Sequence, residues 1–374
     1  MVAARTAWPG AGEEEGAEPQ GRYSVKSYLI EAHHPPTDRS TPELLREVAA
    51  PLGASVVETD EPDLFSLQEG EIEFWCDTSF DRYWRLHTVA QVDRADRFRD
   101  QLVGATPYLD NVWLPPTYLE GLPSRTGGVM QTFSLSHDRR LLHDSRTEAA
   151  DFDSVSMRLW ASAAATLLQK MRHYHLLPHG VSIRSVKLRS GADEPDADFC
   201  VAEYFHDGKV TVNGTSFDEH NRVLLGVLRD YGEMVARFER TYAIGWAEED
   251  GCAHLAGQPI TIEMEWTVSD LEYAVRRMFS ATEPFRLWGL PQRVGPDHYR
   301  ARAVDLHVGR TLTFDITRRH IIIRLPRGTC GNTIVRFLGS LHYHVNADAG
   351  TTLLGGNGSG ETPGTPQRRP GTSV

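Results

Sequence analysis

Residues 298–325 read HYRARAVDLHVGRTLTFDITRRHIIIRL, and this stretch decides the fold. Apolar and polar residues alternate in three runs, His298–Leu306, Thr311–Ile316 and His320–Leu325. A period of two marks a half-buried strand. Gly309-Arg310 and Thr317-Arg318-Arg319 are short enough to be hairpin connections, so the runs form an antiparallel meander. Upstream, Pro259–Trp266 (PITIEMEW) alternates in the same way. Ser269 or Asp270 then caps a helix whose apolar face is Leu271, Ala274, Val275, Met278 and Phe279. Downstream, a helix from Asn332 to Val345 places Ile334, Val335, Leu338 and Leu341 on one face. The order is strand, helix, three strands, helix.

The same order reads twice more towards the N-terminus. In the middle, Gly128–Ser136 is a strand, and residues 154–174 have helical spacing at Val155, Leu159, Ala163, Leu167 and Met171. Val181–Leu188 is a strand, Phe199–Phe205 and Lys209–Val212 form a hairpin, and a long helix runs over Asp218–Tyr242. In the first part, Val25–Glu31 is a strand. Ser40-Thr41-Pro42-Glu43 is a strong helix start, with a capping residue and proline in the first turn. Ser55–Glu58, Glu71–Cys76 and Tyr83–Val89 are strands, and a helix runs through Phe98 and Leu102. Residues 107–123 read as an apolar loop or short helix packing back onto the unit.

We therefore expect an α+β protein of three successive β-α-β-β-β-α units, over residues 23–125, 126–250 and 256–346. Each would be an antiparallel sheet with its helices on one face. In element order the units resemble split-β-α-β and TATA-binding-like halves, a likeness that implies nothing about function. Residues 1–22 and 347–374 are rich in Gly, Pro, Glu and small polar residues, and are expected to be disordered tails.

Composition narrows the function classes. The chain has 374 residues, 40% hydrophobic and 24% charged, with a net charge of −12. That charge argues against a general nucleic-acid coat or an anionic membrane surface as partner, since both reward Lys/Arg patches. The four cysteines are far apart, with no Cys-x-x-Cys pair, which fits reduced thiols in a cytoplasm. No apolar run approaches the roughly 18 residues of a membrane helix. The N-terminal stretch lacks the apolar core of a signal peptide. Abundant Ala, Arg, Gly and Asp with few Lys point to a GC-rich bacterial genome.

Few positions carry a chemical signal. Arg327-Gly328-Thr329-Cys330-Gly331-Asn332-Thr333 is a Gly-rich turn from strand to helix. Such a turn aims backbone N–H groups outward, and the helix dipole favours an anion there. Arg324, Arg327 and Arg336 would add positive potential. Cys330 beside the helix N-terminus is placed for a depressed pKa, as a nucleophilic thiol requires. The same residues also satisfy a purely structural reading, in which the glycines serve turn geometry and Asn332 or Thr333 caps the helix. No Gly-Lys-Ser/Thr pair makes it a nucleotide P-loop.

Histidines gather at His33-His34, at His173, His175 and His179, and at His342 and His344; the two His-Tyr-His triplets, 173–175 and 342–344, look like metal ligands at first sight. On a helix, however, i and i+2 point about 200° apart and cannot share an ion. No metal and no cofactor are expected. In the first unit, alternation sends Phe74, Cys76, Trp84 and Leu86 to one face, the core. Trp75, Tyr83 and Arg85 then face the other way, a candidate protein-binding surface if nothing covers it. The third unit carries twelve arginines against eight carboxylates over 260–344. Its carboxylates Glu263 and Glu265 share a strand face.

Three functional expectations follow. The first is a non-enzymatic binding or adaptor component of a bacterial multi-protein system, recognising another protein through its aromatic and Arg-rich faces. The second is a cysteine-dependent or anion-handling enzyme centred on the Gly-Thr-Cys-Gly-Asn turn. The third is nucleic-acid binding through the basic third unit.

Overall fold

A computed structural model describes residues 24–33, 40–80, 82–142, 154–174, 181–191, 198–249, 251–263, 270–345, 349 and 353. Apart from Ala349 and Leu353, both expected tails lie outside the described residues.

The first unit is β1 (Val25–Ala32), α1 (Thr41–Ala49) prolonged by a 3-10 turn (Ala50–Leu52), β2 (Ser55–Glu58), β3 (Leu64–Glu69), β4 (Ile72–Asp77), β5 (Tyr83–Thr88) and α2 (Val92–Gly104). α1 starts where its capping box says it should, with the Ser40 backbone N–H donating to the Glu43 carboxylate at 2.8 Å. The short β6 (Leu109–Asn111) and α3 (Pro116–Thr126) lead into β7 (Val129–Asp138), β8 (Ser154–Trp160), α4 (Ala164–His173), β9 (Ser182–Gly191), β10 (Phe199–Phe205), β11 (Lys209–Gly214) and α5 (Phe217–Tyr242). A hairpin of β12 (Ala243–Glu249) and β13 (Cys252–Ala256) follows. The last unit is β14 (Ile260–Glu263), α6 (Leu271–Met278), β15 (Leu287–Gly289), β16 (Gln292–Gly295), β17 (His298–Asp305), β18 (Thr311–Thr317), β19 (His320–Pro326) and α7 (Asn332–His344).

The architecture is mixed α+β with largely antiparallel sheets; β12 joins β19 in parallel. The first two units do not keep separate sheets. β1 pairs antiparallel with β11, giving one continuous path β2-β3-β4-β5-β1-β11-β10-β9-β7-β8. The second sheet runs β13-β12-β19-β18-β17-β15, with β14 also on β19. In units one and three the first strand lies beside the last, β1 on β5 and β14 on β19. In unit two the first strand β7 lies beside β9 instead. The expected β-α-β-β-β-α order is not repeated as such: four strands lie between the helices of unit one and five between those of unit three, unit two has two strands before α4, and the connectivity differs as well.

One element differs in kind from its expectation. Ser154–Trp160 is a strand on β7, not the first half of a helix. Val155 and Leu159 have helical spacing, but Met157 lies between them, and all three pack on the core while Ser154, Ser156 and Trp160 face out. A period of two outweighed the i, i+4 pair.

The shared sheet is covered on both faces around β1, whose eight residues are all buried. Tyr28, Ile30 and Ala32 pack with Trp84, Leu86, Phe74 and the apolar faces of α1 and α2. Val25 and Leu29 point the other way, into a larger core shared with α5, α7 and the third unit. The candidate binding face is conditional on nothing covering it, and this second layer covers it. Tyr83 lies edge-on to Tyr231 of α5, with ring centroids 5.7 Å apart. Arg85 is buried and donates to Asp77 at 2.5 Å and to Asn221 of α5. Neither side chain is available at the surface. Trp75 is half-buried and lines a separate recess of about 230 Å³ with His87 and Arg94.

α7 is buried all round, with no exposed residue between Asn332 and Tyr343. A helix can be enclosed in this way only at the centre of a fold. It carries Asn332, Thr333, Arg336 and His342 into that centre, and each finds a polar partner there.

Candidate functional site

The alternation that points Leu29 inward also points Glu31 inward, at zero exposure. A buried carboxylate needs compensation. Arg82 donates to it from Nε at 2.8 Å, His307 Nε2 lies 3.1 Å away, and the Cys330 thiol donates to its two oxygens at 3.3 and 3.2 Å. Arg82 also grips Glu239 of α5 with both terminal nitrogens, at 3.0 and 2.6 Å. Glu239 in turn accepts the Gly331 backbone N–H at 2.9 Å. The N-terminus of α7 therefore already faces an anion, supplied by the chain itself.

His307 is fixed from its other side. Its Nδ1 lies 2.9 Å from the Pro107 carbonyl oxygen, which can only accept. With a carboxylate facing Nε2, both ring nitrogens must donate, so the imidazole is held in its charged form. Burial alone would lower its pKa, but the Glu31 hydrogen bond and charge outweigh burial and raise it. For Glu31, burial alone would raise the pKa. His307, Arg82 and the Cys330 thiol together hold the carboxyl below its ordinary range.

Immediately beside this cluster sits a second buried one. Asp110 accepts from Arg336 and, at 3.0 Å, from Arg286. Asp305 accepts from Arg336 at 2.5 Å and from the Thr333 hydroxyl. Asn332 donates to Asp110 at 3.1 Å and to the Asn111 carbonyl at 3.2 Å, and accepts from the Tyr231 hydroxyl.

The Gly-rich turn thus splits its expected roles. Cys330 has zero exposure and Asn332 and Arg336 are core residues. Burial, then the Glu31 charge, pushes the Cys330 thiol well above its usual pKa, opposite to the depressed value expected at a helix N-terminus. It is therefore not a ready nucleophile. Arg324 points off the opposite side, 44% exposed and paired with Asp315. Arg327 and Gly328 stay at the surface. Gly328 has φ +83°, a left-handed turn position that favours glycine. Gly331 has a helical φ of −66° and is required for space instead, since a Cβ there would lie 2.5 Å from the Val235 carbonyl oxygen.

Above the buried cluster opens a cleft of about 600 Å³, lined by His33, Arg240, Arg310, Arg327, Gly328 and Thr329. The Arg327 guanidinium is anchored by donating to the Trp246 carbonyl at 2.7 Å. The Arg310 guanidinium lies against Gly328. His33 stands edge-on to His307, centroids 6.1 Å apart, and burial lowers its pKa. Glu239, the acidic residue of the lining, is engaged by Arg82 and the Gly331 N–H.

The other singled-out residues do not converge. His342 and His344 bond two different backbone carbonyls, those of Ala349 and Asp138. His173 ends α4, while His34, His175 and His179 lie outside the described residues, as does Glu265. Glu263 is exposed at the end of β14. Much of the basic surplus of the third unit is paired: Arg276 with Glu272, Arg286 with Asp110, Arg300 and Arg324 with Asp315, Arg318 with Asp297. No helix among the described residues is long and apolar enough to cross a membrane.

A family model described as MJECL33-like protein matches residues 13–357. This chain belongs to the MJECL33-like family. The matched span contains every residue of both buried clusters and of the cleft. Within the family, the chain is 25% identical over 359 residues to a Methanocaldococcus jannaschii protein described as "Uncharacterized protein MJECL33". The match spans 87% of this chain and 85% of that protein. The relative is archaeal, and nothing in the match bears out the expected bacterial origin. No solved structure matches the chain.

Sequence reasoning missed Glu31, Arg82, His307, Glu239, Asp110 and Asp305. Only Glu31 left a legible trace, as a lone carboxylate inside the apolar run Tyr28-Leu29-Ile30-Glu31-Ala32. Arg82 and His307 sit in turns that look solvated. Their burial depends on contacts 200 or more residues away in sequence, such as His307 with Pro107 or Arg82 with Cys330.

Proposed function

We propose that the chain binds a small anion of phosphate or carboxylate type in the cleft above the Gly328 turn. One observation carries this reading. Arg240 and Arg310 line the cleft with no carboxylate partner among the described residues, while Arg327 is held beside them by the Trp246 carbonyl. Guanidinium groups gathered without counter-charge form a site that an anion completes. A larger cleft of about 910 Å³ lies elsewhere, lined by Arg99, Arg140, Arg184 and Arg286 among others; three of these four arginines are answered by carboxylates, and Arg184 stacks on the Tyr343 ring. Arg99 pairs with Asp207, Arg140 with Asp138 and Arg286 with Asp110.

Titration calorimetry with inorganic phosphate and pyrophosphate tests the reading. Binding is expected to weaken as salt rises, and the double variant Arg240→Gln/Arg310→Gln to lose at least about tenfold in affinity, the worth of one charge-assisted hydrogen bond. Equal binding by the wild type and the double variant overturns it.

A second reading, protein docking, rests on the β12–β13 hairpin. Trp246 and Leu255 face each other across it at 70% and 63% exposure. A large aromatic held in the open is typical of an anchor residue. Affinity capture from the native host is expected to retain a partner that Trp246→Ser/Leu255→Ser loses; equal capture by both counts against docking there. In either reading we propose a reducing cytoplasm as the setting; the four unbridged cysteines support it.

A further inference from the structure

We propose that Glu31, His307 and Cys330 form a binding site for a divalent cation of the zinc class, one layer beneath the arginine cleft. The proposal does not depend on anion binding in that cleft.

The donor geometry is the first argument. One carboxylate oxygen, one imidazole nitrogen and one sulfur all lie within 4.8 Å of one another, on three side chains with zero exposure. The individual separations are 3.2 Å from Sγ to Oε2 and 3.1 Å from Nε2 to Oε2. Ligands on a tetrahedral zinc at about 2.0–2.3 Å stand roughly 3.5 Å apart. Two of the three ligand separations are thus within about half an ångström of those around a tetrahedral ion, and the third is no more than 4.8 Å.

The second argument is the orientation of His307. Its Nδ1 donates to the Pro107 carbonyl, which turns Nε2 towards Glu31 and Cys330. An imidazole that bonds a metal characteristically gives its other N–H to a carbonyl or carboxylate in this way.

The third argument is charge. Without an ion the group contains the buried Glu31 carboxylate, His307 imidazolium and neutral Cys330 thiol with the partly exposed Arg82 guanidinium and Glu239 carboxylate, and sums to zero. A divalent cation entering displaces two protons, one from Cys330 Sγ and one from His307 Nε2. The sum is again zero, so no uncompensated charge is left in the interior. Arg82 keeps its two-point grip on Glu239. A thiolate with an imidazole selects zinc-like ions over magnesium or calcium.

The competing state is the same pocket holding two protons and no ion, and the two states differ measurably. The full chain, stripped with chelator, is titrated with Co²⁺ alone. The expected result is a thiolate-to-cobalt charge-transfer band that saturates at one equivalent, is displaced by Zn²⁺, and accompanies release of two protons per ion in weak buffer. Cys330→Ala should remove the band, and His307→Gln should weaken binding by at least about tenfold. Cys252→Ala should change nothing, because Cys252 is the exposed thiol on the β12–β13 hairpin. Far-UV circular dichroism checks that each variant folds. If Cys330→Ala fails to fold, the wild-type band and its persistence in Cys252→Ala decide. No band in the wild type overturns the proposal, as does a band lost in Cys252→Ala.

Discussion

Cys330 gives its thiol hydrogen to Glu31 across 299 residues of sequence. The contact ties the turn before α7 to β1. It also predicts reactivity. In chelator-treated native protein, a small electrophile should alkylate Cys252 quickly and leave Cys76, Cys200 and Cys330 unmodified until denaturant is added. The last three are buried, and burial raises the pKa of each, for Cys200 to about 11. Mass spectrometry of peptides after timed quenching reads the outcome. Early label on Cys330 would mean that its thiol is open to solvent.

Arg336 neutralises two buried carboxylates, and its removal strands both. Arg336→Ala is expected to cost about 3–5 kcal/mol in urea unfolding, as for other buried ion pairs broken from one side. Asp110→Asn leaves Arg336 its second partner, Asp305, and should cost less. If the two variants are equally stable, Arg336 is not the bridge.

Acid should destabilise the protein through a pair of neutral histidines. The Ser27 hydroxyl lies 2.8 Å from His87 Nδ1 and 2.9 Å from His220 Nε2. Burial lowers these pKa values to about 4 and about 3, against 6.5 in the unfolded chain. Both folded values are depressed, so the unfolded state binds more protons below pH 6.5. Stability is full above that pH and is lost as pH falls from about 6.5 towards 4, on the order of 3 kcal/mol for His87. Unfolding midpoints across this window should flatten in His220→Gln relative to the wild type. An unchanged slope would show that His220 is not part of the linkage.

Gly331→Ala tests close packing without changing charge. Its backbone angles suit alanine, but the new methyl would meet the Val235 carbonyl oxygen at 2.5 Å, forcing α5 and α7 apart. A loss of about 1–3 kcal/mol is expected, typical of overpacking. Differential scanning fluorimetry would read it, and an unchanged melting temperature would mean that α5 yields freely.

The sheets were legible because alternation is local. Residues 298–325 carry a meander whose three strands appear within a residue or two of their expected ends. Ser154–Trp160 misled because it satisfies two periods at once. The β12–β13 hairpin was missed although Asp250-Gly251 is a strong turn signal. The buried site was illegible for a different reason. Turn residues such as Arg82 and His307 are placed by how units one and three meet, and nothing in their neighbouring residues records that meeting. Tyr83 and Arg85 were assigned to a strand face that points away from the first unit's own core. What lies over that face is α5, from another unit.

The enclosure of α7 has a consequence during synthesis. The strands and helices that surround it precede it along the chain, so they emerge from the ribosome with a hollow where Ile334, Val335, Phe337, Leu338 and Leu341 will sit. Until about residue 343 has been translated, the nascent protein presents a greasy trough flanked by Glu31, Asp110 and Asp305 without their full set of partners. Folding of the earlier units as the chain emerges cannot finish by itself. Among the described helices, the one at the protein's centre is the last to be made.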